Sequence, residues 1–343
     1  MITVLTPNIY PASHIHFISA ILLFEVDIMK KKTKTLLTVA SVGLGVTAGY
    51  LLTGYLSLKY AFKRKNYKQK HATAVKHPLS EEEKNYIASL KQETLTTTSF
   101  DNLALKATFF PADIASNKVV ICIHGYHSYG MLDNQYFIRF YHEHGFHVLI
   151  PDDRAHGDSE GEYIGFGYYD RLDIMQWIMR IQEYFAYNPL NIMLHGVSMG
   201  ASAVLMASGE ELSSDVKCIV ADCGYASARE QLTSVLKAHH IPTHTIMSSA
   251  SLLSKKVIGY DFNNIDVIKQ VEKSHIPTLF IHGNQDSFVD YQNVKKLYEA
   301  CHAPKELFIV PGAEHCDSYI TDPKGYESHI LNFTNKYFTD EKQ

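Results

Sequence analysis

The sequence predicts an α/β fold with a mostly parallel sheet covered by helices on both faces. Short apolar runs of strand length alternate with segments of helical spacing from residue 118 onward. A Gly-x-Ser-x-Gly pattern, residues 196–200, stands between one such run and a helix-like segment. Because parallel strands are joined by crossover helices, this alternation indicates a sheet buried on both faces. Reactive residues then gather at the carboxyl ends of the strands.

An apolar segment of membrane-spanning length lies near the N-terminus. Residues 36–58 contain no charged side chain and follow a basic cluster at residues 30–34, which is the pattern of a signal-anchor helix. A soluble core helix remains the alternative, but it tolerates glycines such as Gly45 and Gly49 poorly. We therefore predict a transmembrane signal anchor over residues 36–58.

A tail precedes this predicted helix and a polar linker follows it. Residues 1–35 form a tail in which Met29 is a candidate natural start, since Met-Lys-Lys-Lys before an apolar run is how such segments begin. Residues 59–92 are expected to form a juxtamembrane linker. A signal anchor starting at Met29 places the catalytic domain outside the cytoplasm, whereas the basic residues after the segment favour the opposite orientation.

The predicted globular domain covers residues 93–343 and starts with a hairpin around Asp101-Asn102. An insert at residues 226–264 is expected to form a short helical cap over the elbow and shape the substrate pocket. Its histidines lack a carboxylate or cysteine at ligand spacing, so no metal site is predicted there. The remaining predicted strands are 118–123, 146–150, 192–194, 217–221, 278–281 and 307–310, and the predicted helices are 131–143, 168–187, 201–207, 291–300 and 325–337.

The Gly-x-Ser-x-Gly pattern has the context of a nucleophile elbow. An apolar strand, residues 192–194, precedes it, and a small apolar helix, residues 201–207, follows it. A serine on so sharp a turn needs nearly side-chain-free neighbours two positions away, and Gly196 and Gly200 meet that need. Ser198 is therefore the predicted nucleophile.

A serine hydroxyl needs a base that is itself oriented by an acid. In this fold the partners follow in the order Ser, Asp, His, each in a loop after a strand. Asp286 and His315 satisfy that order and are predicted to be the acid and the general base. Asp222 remains an alternative acid. Other groups left open are Glu314 and Asp317 beside the base, and His124, His127, His156 and His195 as rival bases.

The oxyanion of an acyl-transfer intermediate must be met by preorganised donors. The residue after the nucleophile supplies one backbone N–H, which here is that of Met199. The loop after the strand that ends at His124-Gly125 supplies the other, which is predicted to be that of Tyr126.

Composition excludes other classes of function. The net charge of the 343 residues is −4, which argues against a general nucleic-acid binder. Five cysteines, an odd number without Cys-x-x-Cys spacing, do not indicate a disulfide-stapled secreted scaffold.

Five motifs in order, from about Glu93 to Tyr337, resemble those of the α/β-hydrolase superfamily. Together with the basic signal anchor, Leu194 to Ala201 resembles bacterial membrane-anchored serine hydrolases of the serine-aminopeptidase-like and bile-acid-acyltransferase-like group. The resemblance implies an eight-stranded sheet, no metal and no organic cofactor, and it supplies no substrate. The motifs are His124-Gly125-Tyr126, the Asp153 to Ser159 loop, the elbow, the Gly283 to Asp286 loop and the Gly312 to His315 loop.

We expect a carboxylic-ester hydrolase that acts through an acyl-enzyme on short, medium or lipid-derived acyl substrates near a membrane. A peptidase or aminopeptidase on the same residues is the alternative, and it needs an acidic subsite for the substrate amine, such as Glu162, Asp170 or Glu230. Acyl transfer uses identical machinery. A membrane-tethered binding module without activity is the alternative from outside the enzymes.

Overall fold

A computed structural model describes residues 12–65 and 77–338 of the protein. Its strands are β1 Glu93–Thr98, β2 Ala104–Phe110, β3 Lys118–Ile123, β4 His147–Pro151, β5 Asn191–Val197, β6 Val216–Asp222, β7 Thr278–Gly283 and β8 Lys305–Val310. They form one eight-stranded sheet in the order β1-β2-β4-β3-β5-β6-β7-β8. β2 is antiparallel to both of its neighbours, and the other pairs are parallel. The predicted fold class and strand number are confirmed.

Helices cover both faces of this sheet. The helices of the described residues are α1 Ala12–Phe62, α2 Glu81–Ser89, α3 Gly130–Glu143, α4 Asp170–Tyr184, α5 Met199–Ala207, α6 Ala228–Ala238, α7 Thr243–Ile258, α8 Val267–Val271, α9 Gln292–Ala300, α10 Ser318–Thr321 and α11 Pro323–Tyr337. Alternate residues of a strand point to opposite faces. In β3, Ile121 belongs to one buried cluster, together with Trp177 of α4, and Val120 belongs to the other, together with Phe333 of α11.

The insert after β6 contains α6, α7 and a 3-10 turn, Phe262–Asn264. α6 contacts the loop that follows β7, since the Gln231 side chain donates a hydrogen bond to the Phe288 carbonyl at 2.8 Å. The insert is therefore attached to the loop that carries Asp286.

Among the described residues, one helical stretch, Met29–Phe62, is long and apolar enough to cross a bilayer, by length and composition. The helix before residue 54 belongs to one compact unit, and residues 54–343 form another. Residues 1–11 of the predicted tail and residues 66–76 of the predicted linker, which include Lys68 and Lys70, lie outside the described residues.

The last turns of α1 belong to the hydrolase unit, so the predicted domain start at residue 93 is too late. Leu58 and Phe62, one turn apart on the same helix face, are both buried. Phe62 packs against Phe166 with tilted rings whose centroids lie 4.7 Å apart, and its carbonyl accepts a hydrogen bond from the Ile164 N–H. The apolar stripe formed by Leu58 and Phe62 is the physical reason for this packing. The prediction missed it because Leu58 ends the apolar segment and Phe62 lies among the basic residues that follow it.

The close packing of α1 against the cap involves Gly54. A β-carbon added at Gly54 would lie 2.5 Å from the Ser249 carbonyl group in α7, so this crossing requires glycine. After α1, the Arg64 guanidinium donates to the carbonyls of Gly157 and Ser159 at 2.8 and 2.6 Å.

Replacing Phe62 with alanine should lower the free energy of unfolding by about 3 kcal/mol, because it leaves a cavity in the core. Tyr60→Ala on the exposed face of the same helix is the control and should change it by less than about 0.5 kcal/mol. Trp177 is the chain's single tryptophan and is buried, so its fluorescence during urea unfolding of the full chain in detergent reports the hydrolase unit. Equal effects of the two substitutions would show that the end of α1 does not belong to this core.

Candidate active site

Ser198 lies on the turn between β5 and α5, in the backbone conformation φ 57°, ψ −115°. Its N–H donates to the Asp222 carbonyl at 2.8 Å, which ties the turn to the end of β6. An added β-carbon would lie 2.3 Å from the Gly200 carbonyl oxygen at Gly196 and 2.2 Å from the Ile123 carbonyl oxygen at Gly200. Backbone atoms cannot yield at these distances, which explains both glycines of the elbow.

His315 reaches Ser198 from the loop after β8. Its Nε2 lies 2.8 Å from Ser198 Oγ and its Nδ1 lies 2.6 Å from Asp286 Oδ2. Because Nδ1 donates to the carboxylate, Nε2 carries the lone pair that accepts the serine proton. Burial disfavours the imidazolium, but Cys223 and the Asp286 carboxylate favour it, and the net effect raises the pKa of His315.

Asp286 is held in a single orientation by donors on both of its oxygens. Oδ1 accepts the N–H groups of Phe288 and Val289 at 2.9 and 2.8 Å, and Oδ2 accepts from His315. Burial alone would raise the pKa of this carboxyl, but hydrogen bonds from His282 and His315 lower it well below its ordinary value. Asp286 is therefore ionised at neutral pH.

His282 also contacts Asp286, and the sequence did not predict this contact. Its Nε2 lies 3.1 Å from Asp286 Oδ2 and 2.9 Å from the Val289 carbonyl oxygen, so it donates to acceptors on the Asp286 loop. Every residue of β7 is buried, so the strand has no alternation of apolar and polar residues that would have singled out His282.

Asp222, the alternative acid, belongs to a different network. Its carboxylate accepts from the hydroxyls of Ser318 at 2.9 Å and Tyr326 at 3.2 Å. Tyr326 also bonds His195, whose other ring nitrogen bonds Tyr141, each at 2.9 Å. Burial lowers the pKa of His195 to about 3, so this ring is neutral at neutral pH. This arrangement brings Asp286, rather than Asp222, to His315.

The other candidate groups also have structural partners. His124 Nε2 accepts the Asp153 N–H at 3.0 Å, and its Nδ1 bonds the Gly125 carbonyl at 2.8 Å. His156 Nδ1 bonds the Arg154 carbonyl at 2.9 Å. Of the remaining candidates, the His127 ring stacks on Tyr126 at 3.5 Å, Asp317 pairs with His77 at 3.3 Å and Glu314 is exposed.

The two residues predicted to form the oxyanion hole, Met199 and Tyr126, belong to α5 and to the loop after β3. Met199 is the first residue of α5, where backbone N–H groups have no acceptor within the helix. The loop after β3 comes so close that a β-carbon added at Gly125 would lie 3.4 Å from Ser198 Cβ. Next in that loop, the Tyr126 hydroxyl donates to the Ala61 carbonyl of α1 at 2.6 Å. The end of α1 thus holds the side chain of a predicted oxyanion residue.

Three potential metal ligands come together in the part of the chain that the structure describes. They are the Cys223 and Cys316 sulfurs and a His315 nitrogen, which lie within 4.8 Å of one another. The predicted ester chemistry does not require a metal, because the serine, the imidazole and the carboxylate already form one hydrogen-bonded chain.

Comparison with known proteins agrees with the fold. A model of the prolyl oligopeptidase family matches residues 138–341. Uncharacterised YqkD of Bacillus subtilis is 29% identical over 218 residues, 63% of this chain and 70% of its own. YNL320W of Saccharomyces cerevisiae, named an uncharacterised membrane protein, is 26% identical over 250 residues, 70% of this chain and 78% of its own. An esterase of Pyrococcus furiosus, Pf2001, superposes with a TM-score of 0.62 at 24% identity and covers 74% of this chain and 94% of its own. The resemblance to α/β-hydrolases is confirmed.

The backbone of Ser198 predicts a difference between two variants that both lack the hydroxyl. Glycine adopts a positive φ without strain and alanine does not, so Ser198→Gly should unfold with a free energy about 1 kcal/mol higher than Ser198→Ala. Urea unfolding of both full-length variants, followed by Trp177 fluorescence, measures the difference. An alanine variant as stable as the glycine variant would show that the elbow carries no strain.

Proposed function

This chain belongs to the prolyl oligopeptidase family, and from that premise we propose that it is a membrane-anchored serine hydrolase that cleaves carboxylic esters. The contact that carries the proposal is the hydrogen-bonded chain from Ser198 Oγ through His315 to Asp286, with distances of 2.8 and 2.6 Å. Such a chain activates a hydroxyl for attack on an acyl carbon.

In the proposed reaction, Ser198 Oγ attacks the ester carbonyl while His315 Nε2 accepts its proton. Asp286 holds the Nδ1–H and stabilises the imidazolium that forms. The backbone N–H groups of Met199 and Tyr126 bind the developing oxyanion. His315 then gives its proton to the departing alcohol, and an acyl group remains on Ser198. Water attacks this acyl-enzyme by the same route in reverse, which releases the acid.

The acidic groups that an aminopeptidase would need are engaged elsewhere. Glu162 pairs with Lys59 at 3.1 Å, and Glu230 pairs with Lys296 at 2.9 Å. Asp170 is buried and accepts the Gly167 N–H at 2.5 Å. A substrate ammonium group would have to compete with these partners, and this supports an ester rather than an amine-bearing peptide.

The surroundings of the site favour an apolar acyl group. Phe288 is half exposed and its ring packs beside that of His315, with centroids 4.9 Å apart. On the other side, Tyr126 packs on Phe166 at 5.0 Å, and Phe166 packs on Phe62 of α1. Aromatic side chains near the nucleophile provide apolar contact for a hydrocarbon chain.

Peptide hydrolysis is the second candidate, and the family itself favours it. The matched family model is that of the prolyl oligopeptidases. An amide and an ester pass through the same tetrahedral intermediate, so the residues proposed above would serve both reactions.

A fluorophosphonate probe should label the wild-type chain and should not label Ser198→Ala. The rate of ester hydrolysis should be at least about 1,000-fold lower in this variant. Ser208→Ala is the matched control. Ser208 donates to the Leu205 carbonyl at the end of α5, so the variant without this hydroxyl should be labelled as fast as the wild type. With p-nitrophenyl acyl esters and aminoacyl coumarins as substrates, we expect ester turnover to exceed amide turnover. Equal labelling of Ser198→Ala would contradict the assignment, and faster amide turnover would favour the peptidase.

Membrane anchoring is supported by the helical stretch Met29–Phe62, which is long and apolar enough to cross a bilayer. We expect the full chain to stay in the pellet after alkaline carbonate extraction. Lysines at Gly45 and Gly49, where an added β-carbon meets no atom within 4 Å, should release it, because each charge costs roughly 3 kcal/mol at the centre of a span. If carbonate released the wild-type chain into the supernatant, membrane anchoring would be contradicted.

A further inference from the structure

Two thiols that the proposed hydrolysis does not use lie beside His315. Cys223 follows β6, Cys316 follows His315 directly, and their sulfur atoms are 3.8 Å apart. Both cysteines have a positive φ, 50° and 62°, which is uncommon for residues other than glycine. The chain thus holds two sulfurs against an imidazole in a backbone conformation that most residues avoid.

The spacing of these atoms fits a tetrahedral metal ion. Zn²⁺ binds thiolate sulfur at about 2.3 Å, so two thiolates on one tetrahedral ion are separated by roughly 3.8 Å. The Cys223 and Cys316 sulfurs already have that separation, and a His315 nitrogen lies within 4.8 Å of both. Two thiolates and one imidazole leave a fourth position for water.

The group is accessible from solvent. Cys316 is exposed, and 20% of the His315 side chain is accessible, whereas Cys223 is buried behind them. An ion can therefore approach from the side of Cys316.

We propose that Cys223, Cys316 and His315 bind a thiophilic divalent cation such as Zn²⁺, which inhibits the hydrolase. On binding, each thiol releases a proton and a His315 nitrogen gives its lone pair to the ion. Nε2 is engaged with Ser198 and Nδ1 with Asp286, so coordination breaks one of these two hydrogen bonds. Metal binding and the activated serine are therefore mutually exclusive. The inhibition rests on the proposed function, but the binding site does not.

The binding site is tested with the full-length chain in detergent and a phosphine reductant, by titrating Zn²⁺ against a chromophoric chelator. We expect one tightly bound Zn²⁺ per chain, with an affinity at least about 100-fold lower in Cys223→Ser and Cys316→Ser. Cys301→Ser, which removes a buried thiol that bonds the Ala303 carbonyl and does not belong to this group of three ligands, is the matched control and should retain the ion. Co²⁺ should give a thiolate charge-transfer band in the wild type and the control that weakens in Cys316→Ser. Trp177 fluorescence verifies that each variant is folded.

The inhibition is tested by the rate of fluorophosphonate labelling with and without Zn²⁺. Zn²⁺ should slow labelling of the wild type at least about tenfold, and a chelator should restore it. Cys316→Ser, compared with its own zinc-free rate, should not be slowed. Equal zinc affinity in the wild type and both variants would overturn the site, and zinc bound through the cysteines without slower labelling would overturn the inhibition. If the zinc-free wild type is not labelled, the proposed function fails while the titration still decides the site.

Discussion

The hydrogen bond between Asp286 Oδ2 and His315 Nδ1 is the contact on which the site depends, because it orients the imidazole towards Ser198. It exists because two loops at neighbouring strand ends are joined to each other. β7 and β8 are parallel partners, and after them the Gln285 N–H donates to the Ala313 carbonyl at 3.0 Å. A β-carbon added at Gly283 would lie 2.3 Å from that same carbonyl oxygen. A glycine in a buried strand thus permits the close approach that brings the acid to the base.

The elbow and the order of Ser198, Asp286 and His315 are predictable from the sequence because each depends on local chemistry. A turn that needs glycines, and polar residues directly after apolar strands, leave a short-range pattern. The burial of Phe62 in the core leaves no such pattern. An apolar residue at the end of a long apolar helix is equally typical of a membrane-spanning segment. The facing sulfurs of Cys223 and Cys316 are 93 residues apart in sequence and meet only through the order of the strands.

The end of α1, from Gly54 to Phe62, packs against the cap and against residues near the site. It crosses α7 of the cap at Gly54, buries Phe62 beside Phe166 and receives the hydroxyl of Tyr126 on the Ala61 carbonyl. These contacts make the loop after β3 depend on residues that precede the sheet in sequence. A fragment that starts at residue 93 would lack them.

The pKa of His315, followed by NMR of histidine-labelled full-length protein with Asp286→Asn and Asp222→Asn beside the wild type, tests the assignment of the acid most directly. An adjacent carboxylate favours the imidazolium, so the wild-type pKa should lie above the ordinary 6.5. Asp286→Asn should lower it, and Asp222→Asn, whose carboxylate bonds Ser318 and Tyr326, should lower it much less. A pKa that falls in Asp222→Asn and stays unchanged in Asp286→Asn would contradict the assignment.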